Sequence, residues 1–399
     1  MKIKKKTIYY LSKNTISCPN DKPLLCGTST KSMGICVENK EECKIRTLEN
    51  RDIPNLPNNN SDVNKYGYST GNLGKSCYVK NNDLILDYEQ NNEIFDELPS
   101  NFKLLTYNMW GLAKNDHLKK LFKLRKNILI ETIKKTDADI ICLQEMSEFS
   151  YNELKEFIST YKYASEIPYV FDKIRDRTVD IYLLSKYVPK SIKIYSLPGV
   201  LNYANCMMVV EFSNLVIFNI YVQAGSKSSH GQENYWIHYS RCRYDIFNII
   251  YDMIKNKYQD KNIIICGDFN CNLDGSKKDW PELKMINKMK KKFNLIDTYR
   301  QIGTLPGYTE DTTLNYMRWN QKLIEKHYRY DAILASGLKI ISSKIIGKEY
   351  EYLSEEDSKW FLENISEAKS IKELRGVSEN KIPINPSDHF GILTKFKDY

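Results

Sequence analysis

A short apolar run that meets a polar residue at its end recurs along the chain. "FKLLTYN" stops at Asn108, "ADIICLQE" at Glu145, "LVIFNIY" at Tyr221 and "NIIICGDFN" at Asp268 and Asn270. "RYDAIL" carries Asp331 before its apolar part, and "SDHFGIL" does the same with Asp388 and His389. Runs of about four to eight residues rich in Ile, Val, Leu and Tyr read as strands. The nearly uninterrupted "NIIICGDFN" is of the kind covered on both faces. Between the runs lie stretches with helical spacing, over about 115–135, 151–160 and 232–257; in the last, Phe247, Ile250 and Ile254 share one stripe. Only Ser213 and Asn214 separate "CMMVVEF" from "LVIFNIY", which predicts a hairpin. Some strands are therefore linked by hairpins and others by helices. The expected fold is α/β in layers, with mixed rather than purely parallel sheets.

The first hundred residues have a different character. Five of the ten cysteines, Cys18, Cys26, Cys36, Cys43 and Cys77, fall there, and "IPNLPNNNSDVNKYGYSTGNLGKS" (53–76) is Asn-, Pro- and Gly-rich like a linker. A loop-rich segment with so little apolar material suits disulfide stapling. Zinc is disfavoured because no Cys-x-x-Cys pair or nearby histidine accompanies the set. An odd five leaves one thiol over. Cys142 and Cys266, by contrast, sit inside strand patterns and read as small buried hydrophobes. The expected division is a cysteine-rich region and linker over 1–100, then a catalytic domain over 101–399. No run approaches the roughly 18 apolar residues of a membrane span, and the basic start lacks the apolar stretch of a secretory signal. An intracellular location is the expectation, with the cysteines leaving an oxidised compartment or a particle as the alternative. Lys+Arg of 59 against Asp+Glu of 50 leaves +9, which favours polyanionic partners, nucleic acid or anionic lipid. Lysines scattered over helical stretches such as "HLKKLFKLRKN" serve solubility equally well.

Polar groups at successive strand termini converge on one rim of a layered sheet, where a site can form. Any one of them is ordinary turn chemistry; six are not. Amide and carboxylate oxygens are the ligands a hard divalent cation accepts, and such a cation polarises a phosphoryl oxygen. An aspartate can orient or deprotonate water, an amide or a phenol can donate to phosphoryl oxygens, and a histidine held by a carboxylate serves as acid or base. The combination suits hydrolysis of a phosphate ester.

"TYNMWG", "LQE", "GDFN", "RYD" and "SDH", in that order, resemble the motif series of the endonuclease/exonuclease/phosphatase superfamily, over about residues 101–399. That superfamily includes deoxyribonuclease I, exonuclease III-type repair nucleases, neutral sphingomyelinases and inositol polyphosphate 5-phosphatases. The resemblance implies a four-layer α-β-β-α sandwich with two packed mixed sheets. It implies Mg²⁺, with Mn²⁺ as a substitute, on Asn108 and Glu145, with Asp388 beside the metal. Asp268 would position or activate water, Asn270 would bind the phosphate, and His389, oriented by Asp331, would stabilise or protonate a phosphoryl oxygen.

The chain also departs from the pattern. Asn219, Ile220, Tyr221 and Val222 stand where many members have Asn-Thr-His-Leu, so Tyr221 resembles the phosphate-binding phenol of exonuclease III-type members. "NMWGL" is closer to the sphingomyelinase version of the first motif. Asn219, Arg241 and Arg243 are further candidates for substrate contact, and Trp110 for stacking or rim packing. The implied function is a metal-dependent phosphodiester hydrolase with nucleic acid as substrate, on Tyr221 and the positive charge. The alternatives are a sphingomyelinase-type phosphodiesterase acting on a phospholipid head group, and a phosphate-binding module without catalysis.

Overall fold

The structure is a computed structural model and describes residues 24–26, 35–37, 85–111, 115–165, 181–197, 206–225, 235–275, 281–318, 326–365, 377–378 and 380–398. The chain order begins with β1 (Leu24–Cys26), β2 (Ile35–Val37), β3 (Ile85–Asn91) and β4 (Asn101–Asn108). Then come α1 (Asp116–Lys134), β5 (Ile140–Gln144), α2 (Glu148–Ile158), β6 (Tyr163–Ala164), β7 (Ile181–Ser185) and β8 (Ser191–Ser196). β9 (Cys206–Glu211), β10 (Leu215–Tyr221), α3 (Tyr235–Lys257), β11 (Asn262–Asp268), α4 (Pro281–Phe293), β12 (Ile296–Asp297) and α5 (Thr298–Ile302) follow. The last part holds β13 (Glu310–Asp311), β14 (His327–Tyr328), β15 (Asp331–Ser336), β16 (Lys339–Ile346), β17 (Glu351–Tyr352), α6 (Glu355–Asn364), β18 (Pro383–Ile384) and β19 (Gly391–Lys397).

Two large sheets carry the fold, a seven-stranded one in the order β12-β15-β11-β10-β9-β8-β3 and a six-stranded one in the order β16-β19-β4-β5-β7-β6. Both are mixed: β4 runs parallel to β5 through the crossover helix α1, β10 parallel to β11 through α3, and the other pairs within them are antiparallel. The hairpin expected at Ser213 and Asn214 is present, with Val216 opposite Glu211.

The uninterrupted apolar runs follow from this layering. In β11, Ile264 and Cys266 pack between the sheets while Ile263 and Ile265 pack toward α3 and α4. β5 divides in the same way, Ile140 and Cys142 facing the other sheet and Ile141 and Leu143 facing α1 and α2. A strand with a packed layer on each side has no solvent face, so alternation vanishes; each such side chain contributes about 1.5–3 kcal/mol on burial. α1 shows the one-sided counterpart: Asn115 Oδ1 caps it by accepting from Leu118 N at 2.9 Å, and Leu121, Phe122, Ile128, Leu129 and Ile133 form its buried stripe.

The expected four-layer α-β-β-α sandwich is the observed architecture. β3 lies in the stretch assigned to the N-terminal region, yet it pairs with β8 from Ile85 opposite Ser196 and extends the seven-stranded sheet. The side chains of the five N-terminal cysteines lie outside the described residues. Cys142, Cys206, Cys266 and Cys271 are buried and outside any disulfide, and Cys242 is disulfide-bonded. Among the described residues no helix is long and apolar enough to cross a membrane.

Candidate active site

On the seven-stranded sheet, register assembles the site. Tyr221 stands beside Asp268 in the parallel pair β10–β11, and Asp268 beside Asp331 in the antiparallel pair β11–β15. Three functional side chains thus share one row at the sheet's rim. Gly267 permits the row: its φ is +137°, and a Cβ there would lie 1.9 Å from Ile220 O. The turn beyond is held by Asp268 Oδ1, which accepts from Asn270 N at 2.8 Å, while Asn270 takes φ 47° and donates from Nδ2 to Val222 O at 3.0 Å.

The six-stranded sheet contributes residues just beyond its strands. Glu145 follows β5 with φ 56° and Trp110 follows β4 with φ 49°, left-handed conformations that non-glycine residues adopt only when their surroundings impose them. Arg125 of α1 supplies much of that constraint. Its buried guanidinium donates to the carbonyls of Met109, Trp110 and Pro386, tying the loop after Asn108 to the loop before Asp388. Ser387 Oγ adds a bond to Asn108 O at 2.7 Å.

The two rims meet over the inter-sheet core. Asn108 Nδ2 donates to Glu145 Oε1 at 3.2 Å and to Asp268 Oδ2 at 3.1 Å, so one amide spans both sheets. Tyr221 Oη donates to Glu145 Oε1 at 2.8 Å. His389 Nδ1 lies 2.8 Å from Asp331 Oδ2, and Asp331 Oδ1 is buried with no hydrogen-bond partner among the described residues. Asp268, Asp331 and His389 place one ligand-type atom each within 4.8 Å of one another.

Charge crowding sets the protonation states. Burial, then the Asp331 charge, push the Asp268 carboxyl up to about 8, against the pull of His389. Burial and then Asp388 raise Glu145. For His389, burial disfavours the charged ring, but the charge and hydrogen bond of Asp331, helped by Asp388 and Asp268, hold it well above its ordinary value. A hydrogen-bonded, protonated imidazole is a poor metal ligand and a good donor. Glu145 and Asp388, two carboxylates close enough that the Asp388 charge raises the Glu145 carboxyl, are the donors that a hard cation fits. Asn108 Oδ1 is turned to Trp110 N at 3.0 Å, and a half turn of the amide would bring that oxygen to the carboxylate side.

Comparison with known proteins gives the family and the fold. A sequence profile of the Endonuclease/Exonuclease/phosphatase family matches residues 105–342, which hold four of the five motifs. The chain belongs to that family. Its coarse function follows at the same level: a hydrolase of phosphoester bonds that works with a divalent metal. The crystal structure of SmcL has the same fold, with a TM-score of 0.51 at 15% identity over 75% of this chain and 100% of that one. TDP2 from D. rerio, complexed with single strand DNA product, gives 0.48 at 17% identity over 75% and 100%. Truncated TDP2 from Caenorhabditis elegans gives 0.49 at 15% over 74% and 98%. A search of curated proteins finds no match.

Within this family fold, the residues expected at the site divide. Asn108, Glu145, Tyr221, Asp268, Asn270, Asp331, Asp388 and His389 come together at the rim. Asn219 does not join them: buried between the sheets, it donates to Tyr182 O at 3.1 Å and accepts from Gln144 Nε2 at 2.8 Å. Arg243 is also occupied, paired with buried Glu282 at 3.0 Å and donating to the carbonyls of Gln223 and Gly225, so it holds the loop after β10. The side chain of Arg241 lies outside the described residues. Trp110 packs against the Arg125 guanidinium, 5.1 Å from its ring centroid, which is rim packing. Sequence reading missed Arg125, whose only signal was an arginine inside an apolar stripe, and the pair Glu310–Arg318, which had none.

Proposed function

We propose that this protein is a Mg²⁺-dependent phosphodiesterase acting on nucleic acid. The observation that carries the hydrolytic part is the row Tyr221–Asp268–Asp331 facing Glu145, with one amide, Asn108, bonded to carboxylates of both rims. A cation held by Glu145, Asp388 and a turned Asn108 would supply Lewis-acid polarisation of a phosphoryl oxygen. Asp268, whose raised carboxyl suits a base working near neutrality, takes a proton from the attacking water as the new P–O bond forms. The ester P–O bond breaks on the opposite side and the leaving oxygen takes a proton from solvent. His389, kept protonated and oriented by Asp331, donates to a phosphoryl oxygen as negative charge builds there. Asn270, on the same turn as Asp268, lies where its amide can bind the phosphate once released from Val222 O.

The choice of nucleic acid rests on charge and on the flank of the site. Arg318 and Lys326 lie close to the cluster, and exposed Lys348 sits 5.9 Å over the ring of Phe390, next to His389. A cavity of about 340 Å³ opens along Asn272, Arg300, Tyr308 and His327, the last two stacked with centroids 5.3 Å apart. Thr309, next to Tyr308, accepts from Asp331 N, so the cavity adjoins the catalytic row. Stacked rings and cations are what a base and its neighbouring phosphates need.

The test is turnover on abasic and plasmid DNA, RNA, sphingomyelin vesicles and inositol polyphosphates, with Mg²⁺ or EDTA. Cleavage of a nucleic acid that stops with EDTA is the expected result. Release of phosphocholine alone would replace the substrate, and intact substrates throughout, with folded protein, would overturn the enzyme reading.

A further inference from the structure

The hairpin β13–β14 carries charge that hydrolysis as described does not use. Glu310 in β13 is fully buried, an uncommon place for a carboxylate, and its contacts are cations: Arg318 Nη2 touches its Oε1, and Lys326 Nζ lies 3.5 Å away. Arg318 then reaches into the catalytic cluster, its Nη1 3.2 Å from Asp388 Oδ2, while about 29% of its side chain is exposed. The guanidinium is therefore anchored at one nitrogen and set against a site carboxylate at the other, on a side chain that is partly exposed. Its five donors in a rigid fork match the spacing of phosphate oxygens.

The neighbouring main chain fixes this aim. Asn315 Nδ2 donates to Ser387 O at 2.9 Å, beside Asp388, and Tyr316 N donates to Asn385 Oδ1 at 2.7 Å. Thr309, one residue before Glu310, accepts from Asp331 N through Oγ1 and from Phe390 N through its carbonyl. The segment bearing Glu310 and Arg318 is thus stitched to the loops bearing Asp331, Asp388 and His389. A surface ion pair would need none of this.

Taking the phosphodiesterase reading as its basis, we infer that Arg318 is a phosphate-binding residue of the site and that buried Glu310 is the positioning residue that aims it. With a cation held at Asp388, that carboxylate would no longer need Arg318, and Nη1 would be able to turn to a non-bridging phosphoryl oxygen. The recognised group is a phosphate monoanion or diester, common to nucleic acid and lipid head groups.

The test compares wild type with Arg318→Ala, Arg318→Lys, Glu310→Gln and the double variant Glu310→Gln/Arg318→Gln. Binding of inorganic phosphate and of dimethyl phosphate is followed by ³¹P nuclear magnetic resonance, with and without Mg²⁺, and KM and kcat are measured on the best substrate. Arg318→Ala should weaken phosphate binding and lower kcat/KM by about 10- to 100-fold. Arg318→Lys should restore stability but only part of the binding, because the fork is lost. Glu310→Gln should show a smaller loss in the same direction. If Arg318→Ala fails to fold with Glu310 left without Arg318, the double variant removes both charges of the pair and must still lose phosphate binding. Unchanged phosphate affinity and KM in folded Arg318→Ala, or in the double variant, overturns the inference. A wild type that binds phosphate through Arg318 yet hydrolyses nothing sinks the phosphodiesterase reading instead.

Discussion

The two rims of the sandwich place their functional groups by different physics. On the seven-stranded sheet, Tyr221, Asp268 and Asp331 occupy one row of a hydrogen-bonded ladder, so pairing alone sets their spacing. On the six-stranded sheet, Glu145 and Asp388 lie beyond the strands, where no ladder constrains them. There a left-handed Glu145 and the Arg125 guanidinium, bonded to three loop carbonyls, do the positioning. In the proposed mechanism the ladder half carries Asp268, which would take the proton from water. The clamped half carries the carboxylates that would hold the cation, where a loop can adjust its oxygens to a coordination sphere.

This division predicts separable losses. The largest effect belongs to the two carboxylates: Glu145→Gln should abolish turnover by about a thousandfold or more and weaken Mn²⁺ binding with it. Asp268→Asn should lower kcat by about 10²- to 10⁴-fold and leave Mn²⁺ affinity, read by calorimetry, close to wild type. Equal loss of metal affinity in both would break the division between the halves.

Next comes Asp331→Asn, read in the pH–rate profile. The raised His389 pKa means the donating ring is present below that pKa and lost as pH rises through it; without the Asp331 carboxylate the alkaline limb should move to lower pH. The sign for stability is the same: the ion pair contributes fully below the unfolded histidine value of about 6.5 and is lost as pH rises through the higher folded value. An alkaline limb that stays in place would remove His389 from the chemistry.

Arg125→Met tests the clamp. Three carbonyls lose a buried donor, so urea denaturation should show about 2–4 kcal/mol less stability, with metal affinity falling and the Asp268 side unaffected. A stable variant with unchanged Mn²⁺ binding would show that β4 and β5 hold their loops unaided.

The smallest effect concerns the thiols. Cys142, Cys206, Cys266 and Cys271 stand outside any disulfide while Cys242 is bonded, so the odd fifth cysteine of the N-terminal region has a partner in number. Denatured, unreduced protein should titrate four thiols, and eight or ten would overturn the stapled reading.

How far the sequence could be read follows from the range of the interactions. Each strand of the sheet centres, its polar end and the order of the motifs lie in short contiguous stretches, because a strand buried on both faces leaves a local apolar run and a rim residue interrupts it. Edge strands leave no such run: β16 is mostly exposed or half-buried, and both it and the edge strand β3 escaped. Asn219 and Asn270 looked alike in sequence, both polar residues at strand ends. Only packing separated them, sending one between the sheets and the other to the rim.

The sequence by itself determined the family, the layers and eight residues that meet at the site, since these depend on local pattern and ordered motifs. The tertiary structure alone decided that Arg125 ties loops 16 and 261 residues away, that Arg243 is held by Glu282, and that Arg318 lies between Glu310 and Asp388. A charge finds its partner through the fold's geometry, and nothing in the chain near it says which partner that will be.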